Sequence, residues 1–264
     1  MLERDQIERF FAEGFLVLPE LFTAAEVELM RLAFDRLQHA AARLGETGTH
    51  QGSLFVLDRG AGDGAVQIQR IVWCGAAEPV LSRFGKDPRL VEPAAQLVGS
   101  PTMHQLINQA HFKLPGDGVE FPWHQDSTHR RYGTAEWVDA NGRGSYVQTI
   151  LALDDVTSDN GPLEFLPGSC RLGHVAESLG RLPPGLDPSA AVAPTMESGG
   201  VVLFGPYTFH RSLPNRSTSP RRVLINGFAH PGANRRVYPG LGAGREVRSG
   251  GAALTGALRR PRAS

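Results

Sequence analysis

Cysteine is scarce in this chain. Two residues, Cys74 and Cys170, are all that 264 positions provide. A disulfide framework is therefore not expected, and the usage fits a reducing compartment. An excess of one charge is missing as well, since Lys+Arg and Asp+Glu number 27 each. Nucleic-acid binding through a broad basic field needs surplus cations, so that class is set aside. No stretch approaches the ~18 apolar residues of a membrane span. The N-terminus, MLERDQIERF, is charged and lacks the apolar centre of a signal peptide. These absences point to a soluble, cytoplasmic protein whose partner is a small molecule rather than nucleic acid or a membrane. Neither an internal repeat nor a linker divides the chain. One domain over residues 1–264 is expected, large enough to bury a substantial core.

Punctuation by glycine and proline organises what is present. Residues 3–13 read as a short amphipathic helix ended by Gly14, and Phe15 to Pro19 as a brief strand. Thr23 to about Leu44 reads as a longer helix, with Thr23 as N-cap and Leu29, Leu32, Ala33 and Leu37 as its apolar stripe. Residues 45–64 are Gly-rich and polar and predict a loop or flap. Val66 to Trp73 reads as a strand, followed by short helices near 78–84 and 88–98. From His104 the pattern turns to strands: His104 to Leu114, Val119 to Gln125, Ser145 to Asp154, Leu163 to Leu166, Val201 to Phe204, Thr208 to Ser212 and Arg222 to Ala229. Turn signals separate them, at 115–118, 158–162 and 198–200. The expected architecture is mainly β with flanking helices: a helical part to about residue 100, a double-stranded β-helix (jelly-roll, cupin-like) core over about 101–230, and a flexible tail from about 241.

Within that core, FPWHQD at 121–126 sets His124 and Asp126 two residues apart. On a strand, such positions share a face, so an imidazole and a carboxylate can meet one metal ion. His210 offers a second imidazole, and Arg221 stands eleven residues further on, a spacing that fits one hairpin. Two His and one carboxylate with the opposite face open form the facial triad of non-haem Fe(II) oxygenases. A nearby guanidinium suits a dicarboxylate co-substrate through paired hydrogen bonds. A lone H-x-D is weak evidence, because the chain has nine histidines and most such pairs are surface or satisfied core groups. NGPLEFLPGS at 160–169 adds context as turn, short strand and turn.

The order of H-Q-D, N-G-P-L-x-F-x-P-G-S, a distal His and an Arg eleven residues later resembles the phytanoyl-CoA dioxygenase-like family of Fe(II)/2-oxoglutarate-dependent oxygenases. The likeness runs from the helical N-terminus to about residue 240. It implies that His124, Asp126 and His210 hold iron and that Arg221 clamps the distal carboxylate of 2-oxoglutarate. Ser212, on the same side as His210, could add a hydrogen bond. Lys113 stands where some relatives use a lysine on the co-substrate, and Gln148 or Thr149 would contact it from the barrel wall. The resemblance further implies hydroxylation of a small metabolite, with O2 consumed and succinate and CO2 released, and the arginines near the expected mouth point to an anionic one. Related halogenases replace the carboxylate ligand with a small residue, so Asp126 favours hydroxylation.

Residues 127–145 depart from the better-known members and predict a substrate lid. Arg130, Arg131 and Trp137 there, with Arg70 and Asn108 upstream, are the candidate substrate contacts. Two readings from other classes remain at this stage. One is a non-oxidative cupin-type metal enzyme, which leaves Arg221 unexplained. The other is a catalytically silent binding or sensor protein on the same barrel.

Overall fold

A computed structural model describes residues 1–59, 66–175, 179–236 and 244–250. Helix α1 (Arg4–Glu13) ends at Gly14, whose φ of 93° lets its N–H return to the Phe10 carbonyl at 2.7 Å. A Cβ at Gly14 would also lie 2.5 Å from Thr208 Oγ1, so glycine is required for backbone and packing alike. Strand β1 (Phe15–Leu18) leads to α2 (Ala24–Leu44). Thr23 caps that helix in a reciprocal box: its hydroxyl accepts from the Glu26 N–H at 3.3 Å, and Glu26 accepts from the Thr23 N–H at 2.9 Å. The buried stripe of α2 is Val27, Met30, Ala33, Phe34, Leu37, Ala40 and Ala41. Leu29 and Leu32, expected on that stripe, stand 50% and 46% exposed. The helical phase is set by the aromatic Phe34 and by Met30 rather than by the leucines.

The segment expected to be a flap begins with ordered strands, β2 (Gly48–His50) and β3 (Ser53–Arg59), which pair as a hairpin. The rest of it, 60–64, lies outside the described residues. Strand β4 (Val66–Val72) follows, then α3 (Cys74–Ala77), α4 (Pro79–Phe84) and α5 (Pro88–Val98). The remaining elements are β5 (Thr102–Lys113), β6 (Phe121–His124), α6 (Asp126–His129), β7 (Tyr146–Ala152), β8 (Leu163–Phe165), β9 (Val201–Phe204), β10 (His210–Ser212), β11 (Arg221–Ala229) and β12 (Arg245–Arg248). The tail expected to be flexible thus contributes β12, which pairs with β5. Residues 241–243 and 251–264 lie outside the described residues.

Two antiparallel sheets face each other. The larger runs β1-β9-β7-β11-β5-β4-β3-β2, and the smaller runs β6-β10-β8. Four strands of the larger sheet come from the part expected to be helical. One face of this sheet is covered by helices: Phe34, Leu37, Leu90 and Leu97 pack with Phe112, Leu151, Leu203 and Leu224 in one buried cluster. Its other face, with Ile150, Val202, Phe204 and Ile225, packs toward Phe165 of the smaller sheet. Between the sheets a cavity remains. The chain crosses from one sheet to the other between β10 and β11, so His210 and Arg221 do not share a hairpin as the spacing suggested. They lie on different sheets and both line the cavity between them.

Candidate active site

His124 and His210 are direct cross-strand partners in the β6–β10 ladder. Each ring donates through Nδ1 to the carbonyl two residues before it: His124 to Pro122 at 2.7 Å and His210 to Thr208 at 2.9 Å. Those bonds fix the tautomer and leave Nε2 as a lone-pair donor. The strand ends at His124, and Asp126 opens α6 instead of continuing it. The same-face argument for positions i and i+2 therefore does not apply. A turn after Gln125 brings the carboxylate over instead. Asp126 Oδ1 lies 3.9 Å from His124 Nε2 and 4.0 Å from His210 Nε2. All three residues are buried, and one ligand atom from each falls within 4.8 Å of the others.

Burial opposes ionisation of Asp126. The neighbouring His210, Arg130 and His124 outweigh it, and the carboxyl lies below its ordinary value. Burial above all, then the neighbouring His124, lowers His210 to about 3. A neutral His210 imidazole and an ionised Asp126 carboxylate are protonation states that suit a divalent metal. Asp126 Oδ2 is buried and accepts no hydrogen bond. An orphaned carboxylate oxygen is costly unless a cation completes it, so these residues fit a metal ion.

At the other end of the cavity, Arg221 of β11 pairs in register with Lys113 of β5. Arg221 is 5% exposed, and its Nε has no hydrogen-bond partner. Burial lowers its pKa to about 10. Lys113 is almost wholly buried, and its Nζ donates to the Leu213 carbonyl. Burial, then Arg221, brings it down to about 7. Ser212 borders the same space. Two adjacent buried cations with so little anionic company fit an absent dicarboxylate. Arg222 points the other way, to Asp154 at 2.9 Å and Asp35 at 2.7 Å.

Gln148 lines the cavity and accepts from the Tyr146 hydroxyl at 2.7 Å, which in turn accepts from Arg130 Nη2 at 3.1 Å. Its amide NH2 is the end left for a ligand. Thr149 is buried on the opposite face of β7 and does not line the cavity. Arg70 and Arg130 line it, whereas Asn108, Arg131 and Trp137 do not. Asn108 faces the helices: it accepts from the Gly75 N–H at 2.9 Å and donates to Asn226 at 2.9 Å. Its neighbours on β5 take the inward positions, by strand alternation. Arg131 is exposed, with a left-handed φ of 60°. Trp137 stacks on Tyr132 with ring centroids 5.0 Å apart.

His129, in the segment expected as a lid, lines the cavity, and so do Gln109, His111 and Arg236, which the motif reading did not single out. Gln109, His111 and Lys113 alternate with Ala110 and Phe112 in QAHFK. That polar alternation was the signal available for the first two. Nothing local in the sequence marks Arg236. The cavity measures about 530 Å³. Among the described residues, Asp126 is its one carboxylate against several cationic side chains.

Comparison with known proteins agrees with this geometry. A family profile described as Phytanoyl-CoA dioxygenase (PhyH) matches residues 10–223. An ectoine dioxygenase of Bordetella bronchiseptica is 29% identical over 243 residues, covering 83% of this chain and 73% of the relative. An L-proline trans-4-hydroxylase of Streptomyces griseoviridis is 28% identical over 260 residues, covering 84% and 87%. Among solved structures, EvdO2 of Micromonospora carbonacea var. aurantiaca in complex with 2-oxoglutarate superposes with a TM-score of 0.65 at 23% identity, over 90% of this chain and 96% of that one. EctD of S. alaskensis with 2-oxoglutarate and 5-hydroxyectoine gives 0.66 at 24% identity, over 89% and 79%. At these identities the structural likeness establishes the fold alone.

Proposed function

The chain belongs to the phytanoyl-CoA dioxygenase family, and on that premise we propose that it is an Fe(II)- and 2-oxoglutarate-dependent oxygenase hydroxylating a small, anionic metabolite. The observation that carries this reading is a pair of buried, uncompensated charges in one cavity: the orphaned Asp126 oxygen beside two lone-pair imidazoles, and the unpaired Arg221 across from it. His124, Asp126 and His210 would hold the iron. Arg221, Ser212, Lys113 and the Gln148 amide would hold 2-oxoglutarate. Arg70, Arg130 and Arg236 are the cationic side chains left to face a substrate.

When bound, Fe(II) with 2-oxoglutarate supplies O2 activation, one oxygen atom passing to succinate as CO2 leaves and the other into a substrate C–H bond. The chain's own residues do the rest. The Pro122 and Thr208 carbonyls hold the two imidazoles in the ligating tautomer. Arg221 and Lys113 give a dicarboxylate a single orientation, and bidentate pairing to the guanidinium fixes its plane. Phe204, Ile150, Val223 and Ile225 give the cavity an apolar wall. The ectoine and L-proline in the names of the two relatives are small molecules, a size class that a 530 Å³ cavity suits.

The test is anaerobic addition of Fe(II) and 2-oxoglutarate. A weak visible charge-transfer band that needs both components is the expected result. A protein that binds Fe(II) but never develops the band with 2-oxoglutarate would return the reading to a non-oxidative metal enzyme.

A further inference from the structure

With the triad and the co-substrate end of the cavity assigned, Arg70 is left without a counter-ion among the described residues. Arg70 lies on β4 just before Ile71 and Val72, which pair with Ala110 and Gln109 of β5. Its side chain lines the cavity. Among the described residues it makes no hydrogen bond or ion pair, and burial alone lowers its pKa below the ordinary arginine value. Arg70 is half-buried, so a ligand anion would offset the charge that partial burial leaves without a partner.

Its surroundings narrow the anion's chemistry. Gln109 and His111 share the inward face of β5 beside it, with His111 Nε2 3.0 Å from Gln109 Oε1. Burial, then Arg70, holds His111 at about 3, so the ring is neutral and donates to the Gln109 oxygen. The Gln109 NH2 is left to donate elsewhere. This end of the cavity thus offers one full positive charge, a planar fork and a neutral amide donor. That set matches a singly charged, planar carboxylate.

Resting on the reading above, we propose that the substrate is a small monocarboxylate. Arg70, assisted by Gln109, anchors its carboxylate at the β4–β5 side of the cavity and turns the rest of the molecule toward the face bearing His124, Asp126 and His210.

Matched pairs test this. Small amino and cyclic acids, their primary amides and the corresponding alkyl phosphates are titrated calorimetrically into anaerobic Fe(II)/2-oxoglutarate complexes of the wild type, Arg70→Met and Arg70→Lys. At least one acid should bind the wild type about tenfold or more tightly than its amide. The preference should fall to about twofold or less in Arg70→Met and recover in part in Arg70→Lys. A panel in which no acid outbinds its amide overturns the proposal. So does a preference that survives in Arg70→Met, or a phosphate that outbinds its matched acid. The visible band separates this outcome from the reading beneath it. No band in the wild type sinks the iron and co-substrate assignment. A band without acid preference sinks the Arg70 proposal alone. If Arg70→Met forms no band, Arg70→Gln takes its place, keeping a polar side chain at the position.

Discussion

Asp126 accepts no hydrogen bond at Oδ2 although it is buried, and Arg221 is buried without a partner at Nε. Each residue on its own would be expensive to keep. Removing the ligand it awaits, or the residue itself, should therefore have separable effects. Asp126→Ala, His124→Ala and His210→Ala should each abolish Fe(II) retention and turnover. Equilibrium dialysis against Fe(II) checks this, and wild-type affinity in any one variant removes that residue from the ligand set. Arg221→Ala should weaken 2-oxoglutarate tens-fold or more, since losing one side of a buried charge-assisted pair costs ~2–5 kcal/mol, while Fe(II) affinity stays near wild type. Arg222→Ala should do the reverse of Arg221→Ala in a different currency. It leaves co-substrate affinity alone but loses the Asp154 and Asp35 pairs, costing about 1–3 kcal/mol of stability for a partly buried network. Calorimetric titration and urea melts of the two variants would expose a misassigned strand register if the order came out inverted.

Strands were legible where polar and apolar residues alternate, and elements failed where periodicity was ambiguous. β9 was read with its observed ends, and the inward set of β11 follows from alternation alone, Arg221 in and Arg222 out. The one-turn helix α6 was not legible, because four residues cannot display a helical period. Its consequence, a carboxylate delivered by a turn instead of a strand, was hidden with it. The β10–β11 hairpin was a misreading of the same kind: sequence spacing does not say whether a chain stays in its sheet or crosses to the other one. The segment after Asp126 divides along similar lines. His129 and Arg130 reach the cavity because α6 turns them inward, while Tyr132 and Trp137 pack on one another and on the chain near residue 233, where the Val138 N–H meets the Ala233 carbonyl at 2.8 Å. This is an anchored wall and not a free lid. Arg130→Ala should accordingly impair substrate-coupled turnover, Trp137→Ala should cost roughly 3–5 kcal/mol of stability as a buried aromatic, and Arg131→Ala should change neither. Steady-state kinetics beside thermal melts decide. Equal kinetic damage from Arg131→Ala would restore the idea of a lid closing over the substrate.

The molecule as a whole gathers basic side chains into one cavity while its overall charge is zero. That segregation has a cost that pH can read. Lys113, ordinarily near 10.5, titrates at about 7 in the folded protein because it is buried and stands against Arg221, with Asp117 and Glu120 offsetting only part of this. Its folded pKa lies below its unfolded one. Between roughly pH 7 and 10.5 the unfolded chain therefore holds a proton that the folded protein has released. Stability rises with pH across that window, by at most ~1.4 kcal/mol per pH unit for one proton, and the contribution is lost as pH falls through the folded value. A dicarboxylate beside Lys113 restores its preference for the charged form. Binding of 2-oxoglutarate above neutral pH should then take up a proton, and stability with saturating co-substrate should depend less on pH than stability without it. The added stability follows mass action, about 2.7 kcal/mol at a hundredfold excess over Kd. Urea melts from pH 7 to 9.5 with and without 2-oxoglutarate measure the slopes, and calorimetry in buffers of different ionisation enthalpy counts the proton. Lys113→Met should flatten the slope of the free protein and abolish the buffer dependence. A wild-type slope retained in Lys113→Met, or a binding enthalpy indifferent to buffer, would mean that Lys113 neither carries the buried charge nor meets the co-substrate.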